Sequence, residues 1–177
     1  MRARIDAAIR RIPNHPQPGI LFYDLMPLFQ DPAGLEACVG GLAEWARPLC
    51  PDVVVGIEAR GLILAGALAR ELGVGMAAAR KPGKLPGARV SAAYELEYGT
   101  DTLELHSDAV SDGARVIVHD DLLATGGTAE AVCGLVEGLG GTVVGVGVVV
   151  ELTFLPGRER LARYGVHSLV DYDSEAL

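Results

Sequence analysis

The sequence predicts an α/β domain built on a central, mostly parallel sheet flanked by helices. Strand-like aliphatic runs alternate with helix-period segments from residue 31 onward. The 177 residues are half apolar and carry few aromatics, so one domain with a Val, Leu, Ile and Ala core is expected. The longest smooth apolar run, residues 143–150, is interrupted by Gly145 and Gly147 and reads as a central strand. It falls far short of the ~20 residues of a membrane helix. No repeat or linker divides the chain.

Each element has its own signal. Ile5, Ala8, Ile9 and Ile12 predict a short amphipathic helix ending at Pro13. Residues 13–19, with three prolines and a glycine, predict an extended connector. Asp31-Pro32 opens a helix, Asp as cap and Pro at the first position, with Leu35, Cys38, Val39, Leu42 and Ala46 facing inward. Residues 52–57 predict a strand, 61–72 a helix and 74–79 a second strand. Residues 89–97 form one arm of a ribbon that returns through 102–106. A strand at 115–119, a helix at 129–140 with Val132, Leu135, Val136 and Leu139 inward, a strand at 142–151 and a short terminal helix and strand complete the order.

The most informative segment is Asp120-Asp121-Leu122-Leu123-Ala124-Thr125-Gly126-Gly127-Thr128. A strand, a tight Thr/Gly loop and a helix start make a phosphate cradle, because free backbone N–H groups and the helix dipole converge on one anion. The two acids would repel that phosphate, but they suit hydroxyls or a cation. Acids for a ribose diol beside donors for its phosphate imply a sugar phosphate ligand. The plain alternative, a helix N-cap pair before a Gly-rich turn, does not account for all nine residues.

Net charge is −8 with no Lys/Arg-rich run, which argues against nucleic acid as the ligand. Positive charge for an anionic ligand must come from Arg60, Arg80, Lys81, Lys84 and Arg89. The N-terminus lacks the apolar stretch of a secretory signal, and Cys38, Cys50 and Cys133 have no metal-ligand spacing, so a cytoplasmic protein with reduced thiols is expected. In a parallel sheet the ligand lies at the strands' carboxyl ends, which gathers the loops after Ile57, Ala79 and His119. Gly73-Val74-Gly75-Met76-Ala77-Ala78 fits the loose dinucleotide fingerprint but leaves a helix for a strand, the wrong order.

The 120–128 segment closely resembles the phosphoribosyl-diphosphate signature of the type I phosphoribosyltransferases, and its spelling resembles the branch acting on adenine. Pro18-Gly19-Ile20-Leu21-Phe22, Glu58-Ala59-Arg60-Gly61, Arg80-Lys81-Pro82-Gly83-Lys84-Leu85-Pro86-Gly87 and Leu96-Glu97-Tyr98-Gly99-Thr100-Asp101 match in the same order. The resemblance implies the type I phosphoribosyltransferase fold, with a small N-terminal hood (residues 1–30) and a mobile lid loop (81–106). It implies formation of AMP and diphosphate from adenine and phosphoribosyl diphosphate, with magnesium bound mainly through the diphosphate and ribose near Asp120 and Asp121, its direct protein ligand left unassigned. A homodimer is implied; nucleic acid and membrane partners are not.

By the same resemblance, Asp120 and Asp121 hold the ribose hydroxyls and favour positive charge at C1. Ala124, Thr125, Gly126, Gly127 and Thr128 bind the 5′-phosphate. Glu58, Ala59, Arg60, Arg80, Lys81 and Lys84 surround the diphosphate, with a cis peptide at Glu58–Ala59. Leu21 and Phe22 meet the base. Tyr94 and Tyr98 belong to the lid, and Glu97 is the acid/base that exchanges a proton with the purine. Three positions depart from the branch: Tyr23 replaces an arginine, His119 an aliphatic residue and Leu62 a phenylalanine. A transferase for another base, such as xanthine or hypoxanthine, and a regulator that senses phosphoribosyl diphosphate are the rival readings.

Overall fold

A computed structural model describes residues 1–95 and 100–174 of the chain. The sheet predicted from the alternation is five-stranded and wholly parallel among these residues. Its strands are β3 (Val53–Ile57), β4 (Gly75–Ala79), β7 (Arg115–Leu123), β8 (Thr142–Leu152) and β9 (Val166–Tyr172), in the order β4-β3-β7-β8-β9. The order reverses between β3 and β7, and that crevice is where a doubly wound sheet binds ligand.

Alternation along the strands divides the core in two. Val54, Ile117 and Val149 face the helices α1 (Arg2–Ala8), α3 (Pro32–Ala46) and α4 (Gly61–Leu72), meeting Ile5, Leu42 and Leu68. Val55, Ile57, Val116 and Val118 face α5 (Gly127–Gly138), meeting Val132 and Val136. This second layer also holds an antiparallel ribbon of β5 (Arg89–Glu95) and β6 (Thr100–His106). Asp31 caps α3 as predicted, its carboxylate accepting from Gly34 N at 3.0 Å. The inward face of α3 keeps Cys38, Leu42 and Ala46, whereas Leu35 and Val39 are only half-buried at its edge.

The N-terminal hood differs from the sequence expectation. Helix α1 stops at Ala8, and Ile12 lies on β1 (Arg10–Pro13), which pairs with β2 (Leu21–Asp24). Isoleucines three apart satisfy a helix pattern, yet cross-strand pairing with residues 21–24 wins. Residues 14–20 close this hairpin instead of extending: His15 N donates to Ile20 O at 3.2 Å and Gly19 N to Asn14 Oδ1 at 3.0 Å. A further helix, α2 (Met26–Gln30), has no counterpart in the sequence reading. The C-terminal strand fastens the hood: Tyr172 stacks on Tyr23 with centroids 4.5 Å apart and donates to Asp6 Oδ1 at 2.6 Å.

The 81–106 segment is anchored at its base. Leu103 and Leu105 are fully buried in the second core layer, and Arg80 and Glu104 exchange backbone hydrogen bonds that join the ribbon to the end of β4. Glu97 and Tyr98 lie outside the described residues. Among the described residues no helix is long and apolar enough to cross a membrane. Cys38 and Cys133 are buried thiols, each pushed up to about 12 by burial, and Cys50 is exposed.

Candidate active site

Strand β7 runs four residues past its predicted end, so Asp120 and Asp121 sit on the strand itself, Asp120 paired in register with Val148. Alternation therefore sends the two carboxylates in different directions. Asp121 is buried, and Arg60 Nε lies 2.7 Å from its Oδ2. That approach is an ion pair without the alignment of a hydrogen bond, and Oδ2 has no hydrogen-bond partner among the described residues. Burial and the neighbouring Asp121 charge push the Asp120 carboxyl well above the ordinary carboxylate range, although the residue keeps an open edge to the cleft. Burial also raises Asp121, against the pull of Arg60. Two acids in this position favour a ligand that brings hydroxyl donors or positive charge.

Beyond the acids, residues 124–127 turn into α5, with Gly126 at φ 81°. The cradle is a cavity of about 80 Å³ bounded by Asp120, Ala124, Thr125, Gly126, Thr128 and Val148. The helix α6 (Gly157–Arg160) packs against the same loop at Gly157. A Cβ on Gly157 would stand 2.3 Å from the Ala124 carbonyl oxygen, so the two backbones fit only because that residue is glycine. Buried Glu151 at the end of β8 braces α6, accepting from Arg158 Nε at 2.7 Å and Ser168 Oγ at 2.8 Å. Burial works to raise the Glu151 carboxyl, but these hydrogen bonds outweigh it and hold the group below its usual value. Sequence reasoning missed Gly157, and it read Val150-Glu151-Leu152-Thr153 only as a match to the adenine branch, without the bracing role of Glu151. An acid closing an apolar strand, with an arginine seven residues on, was the available signal. A hollow of about 570 Å³ beside α6 contains none of the predicted site residues; the small cradle is lined by Asp120 and the 124–128 loop.

The loops after β3 and β4 are tied together by Glu58. Its carboxylate accepts from Lys81 N at 2.7 Å and from Arg80 Nη2 at 3.2 Å, and the Arg80 hydrogen bond with the Lys81 amide holds it below its ordinary range. The Glu58–Ala59 peptide is cis. Gly61 lets α4 start directly under the acids: a Cβ there would meet Asp120 Oδ1 at 2.9 Å and the His119 carbonyl at 3.0 Å. Lys81 is ion-paired with Asp101 of β6, whose carboxylate also accepts from the Tyr94 hydroxyl at 3.2 Å. Lys84 is exposed on the same loop. Arg89, the remaining predicted cation, turns to Glu104 at 3.0 Å and belongs to the ribbon.

At the base end, β2 alternates. Leu21 and Tyr23 enter the core, and Phe22 lies on the opposite side, where the Arg60 guanidinium carbon stands 5.4 Å from its ring centroid. Phe22, Arg60 and Asp121 thus form a continuous line from hood to ribose acids. Leu21 can reach a ligand only through its backbone. The unusual Tyr23 is a hood anchor through Tyr172. His119 is fully buried inside β7 rather than at its end, with Nδ1 2.8 Å from Gly147 O. Burial lowers its pKa to about 4, so it is neutral at physiological pH.

Comparison with known proteins identifies the family to which this fold belongs. The model of the phosphoribosyl transferase domain matches residues 31–173. The adenine phosphoribosyltransferase of Solibacter usitatus (strain Ellin6076) is 53% identical over 169 residues, covering 96% of this chain and 98% of the relative. The crystal structure of adenine phosphoribosyltransferase from Thermoanaerobacter pseudethanolicus superposes with a TM-score of 0.94 at 45% identity, covering 97% of this chain and 100% of that one. The Saccharomyces cerevisiae enzyme, solved with an imino-altritol bisphosphate and adenine, gives a TM-score of 0.89 at 39% identity, with 95% and 97% covered. The chain belongs to the phosphoribosyl transferase domain family, in its adenine phosphoribosyltransferase branch.

Proposed function

We propose that this protein is a purine salvage transferase that forms AMP and diphosphate from adenine and phosphoribosyl diphosphate. The observation that carries the reading is the juxtaposition of the Asp120–Asp121 pair with the 124–128 loop, packed on Gly157, at the sheet's reversal point. Asp121 is buried against Arg60, and Asp120, with its open edge to the cleft, is placed to accept from a ribose hydroxyl. The 5′-phosphate then falls to the backbone N–H groups of residues 124–128, and the diphosphate to Arg60, Arg80, Lys81 and Lys84.

Adenine N9 attacks ribose C1 as the bond from C1 to the diphosphate oxygen breaks, and the electron pair leaves with diphosphate. Positive charge building at C1 is favoured by the nearby carboxylates. Phe22 stacks on the base, the Leu21 backbone reads its edge, and Glu97 receives the N9 proton. Tyr94 and Tyr98 belong to the lid over this reaction. Among the described residues no three His, Cys, Asp or Glu side chains form a metal cage. Asp120, with its open edge to the cleft, fits an ion held chiefly by ligand oxygens. A magnesium ion held near Asp120 and Asp121 would supply positive charge toward the departing diphosphate.

A cytoplasmic homodimer completes the reading, supported by resemblance and checkable by sedimentation. The decisive test follows diphosphate release from phosphoribosyl diphosphate with and without adenine, in magnesium. Adenine-dependent release with stoichiometric AMP supports the reading; release independent of base, or none, refutes it. Glu97→Gln is expected to lower kcat about 10²-fold with a smaller change in KM.

A further inference from the structure

The diphosphate end of the cleft already contains the protein's own negative charges. Lys81 is fixed at two points by carboxylates from different elements: its backbone N–H by Glu58 at 2.7 Å, and its ammonium by Asp101. Asp101 is itself oriented, accepting from Thr102 N at 2.8 Å and from the hydroxyl of Tyr94, its cross-strand partner, at 3.2 Å. Tyr94 in turn borders a cavity of about 280 Å³ with Gly127 and Glu130 at the start of α5. Through Tyr94 the carboxylate is thus linked to the region where α5 begins.

The three ion pairs of this region differ in what solvent can reach. Glu58 and Glu104 are sheltered acids, their side chains 15% and 10% exposed. Each also accepts a backbone N–H of the 80–84 loop: Glu58 from Lys81, and Glu104 from Gly83 at 3.1 Å. Those contacts shape the loop. The three cations are similarly open, 34% for Arg80, 42% for Arg89 and 46% for Lys81. Asp101, at 23%, is the most open of the acids, so water reaches this pair from both sides, and a partly exposed pair of this kind is weakly held. A lysine ammonium on a flexible stem is also the cation most easily transferred to a new anion.

We propose that Asp101 is a positioning residue, the resting counter-ion of Lys81, which an incoming diphosphate must displace. Resting on the transferase reading above, this makes Asp101 a determinant of selectivity among ligands of the site. It weakens ligands that carry a diphosphate and leaves AMP, which lacks one, unaffected. The raised Lys81 pKa and lowered Asp101 pKa, each due first to their mutual hydrogen bond, agree with a formed pair in the unliganded protein.

Calorimetric titration with magnesium pyrophosphate, and separately with AMP, tests this on wild type, Asp101→Asn, Lys81→Ala and the double variant. Asp101→Asn is expected to tighten pyrophosphate about 5-fold, the scale of one exposed ion pair, with AMP affinity unchanged. In the Lys81→Ala background the same substitution should have no effect. Unchanged or weakened pyrophosphate binding overturns the proposal. So does tightening that persists without Lys81, because that is the general field of a lost negative charge. Wild type binding neither ligand overturns the transferase reading itself. Should Asp101→Asn fail to fold, Asp101→Ser takes its place; failure of both makes the residue a structural strut and refutes the proposal.

Discussion

Replacing Gly157 with alanine tests whether the phosphate cradle is held from outside the signature segment. The added Cβ would stand 2.3 Å from Ala124 O and 2.9 Å from Leu123 Cγ, where ordinary contact begins at 3.4 Å. The obstruction is partly backbone, so the loop must retreat by about 1 Å, a displacement that costs on the order of 10²-fold in rate at a reacting site. Overpacking of this kind lowers stability by about 1–3 kcal/mol, or roughly 2–4 °C per kcal/mol at this chain length. Gly157 opens α6 and no unusual dihedral demands glycine there, so the effect is steric. Gly134→Ala is the control: its Cβ meets nothing within 4 Å on the exposed side of α5, and it should add up to about 1 kcal/mol through helix propensity. Thermal melting, AMP titration and kcat/KM measured together decide the matter. Weakened AMP binding and a fall in kcat/KM are expected for Gly157→Ala alone. Unchanged AMP affinity and activity would refute the idea that α6 positions the loop.

Other outcomes follow from the same geometry. Asp121→Asn should leave the protein folded, because Arg60 retains access to solvent, and should lower kcat by about 10²-fold in steady-state assays; unchanged turnover would remove the charge argument. Phe22→Leu should raise KM for adenine about 3- to 10-fold, the scale of one aromatic contact, with KM for phosphoribosyl diphosphate unmoved. Buried His119 titrates near 4 when folded against an ordinary 6.5. The unfolded chain therefore binds its proton first, and stability is lost as pH falls from about 6.5 toward about 4, by about 3 kcal/mol in all. Urea denaturation across that range should show a slope that His119→Val flattens, and an unaltered slope would assign the loss to other groups.

The sheet, its order of elements and the three site loops were legible because each rests on a local pattern: alternation, a capped helix start, a Gly-rich turn after an apolar run. The hood was not. Ile9 and Ile12 satisfy a helix period, and only pairing with residues 21–24, remote in sequence, makes the second of them a strand residue. The acids were legible as a pair, but their place on the strand, which buries Asp121 and opens an edge of Asp120, depends on register with β8. Gly157 and Asp101 act through Ala124 and Lys81, remote in the chain, whereas Glu151 had a local signal in the arginine seven residues on. Tyr23 and His119, which departed from the family pattern, both turned out to be packed into the interior.

The central claim is base-specific transfer, and nucleotide formation from phosphoribosyl diphosphate and magnesium with adenine, hypoxanthine, guanine, xanthine and orotate in parallel tests it most directly. The account predicts AMP from adenine and little product from the other four, with Tyr23 tolerated because it faces the core. Preference for another base would contradict the assignment of Phe22 and the hood as an adenine site, while absence of product from every base would contradict the transferase itself.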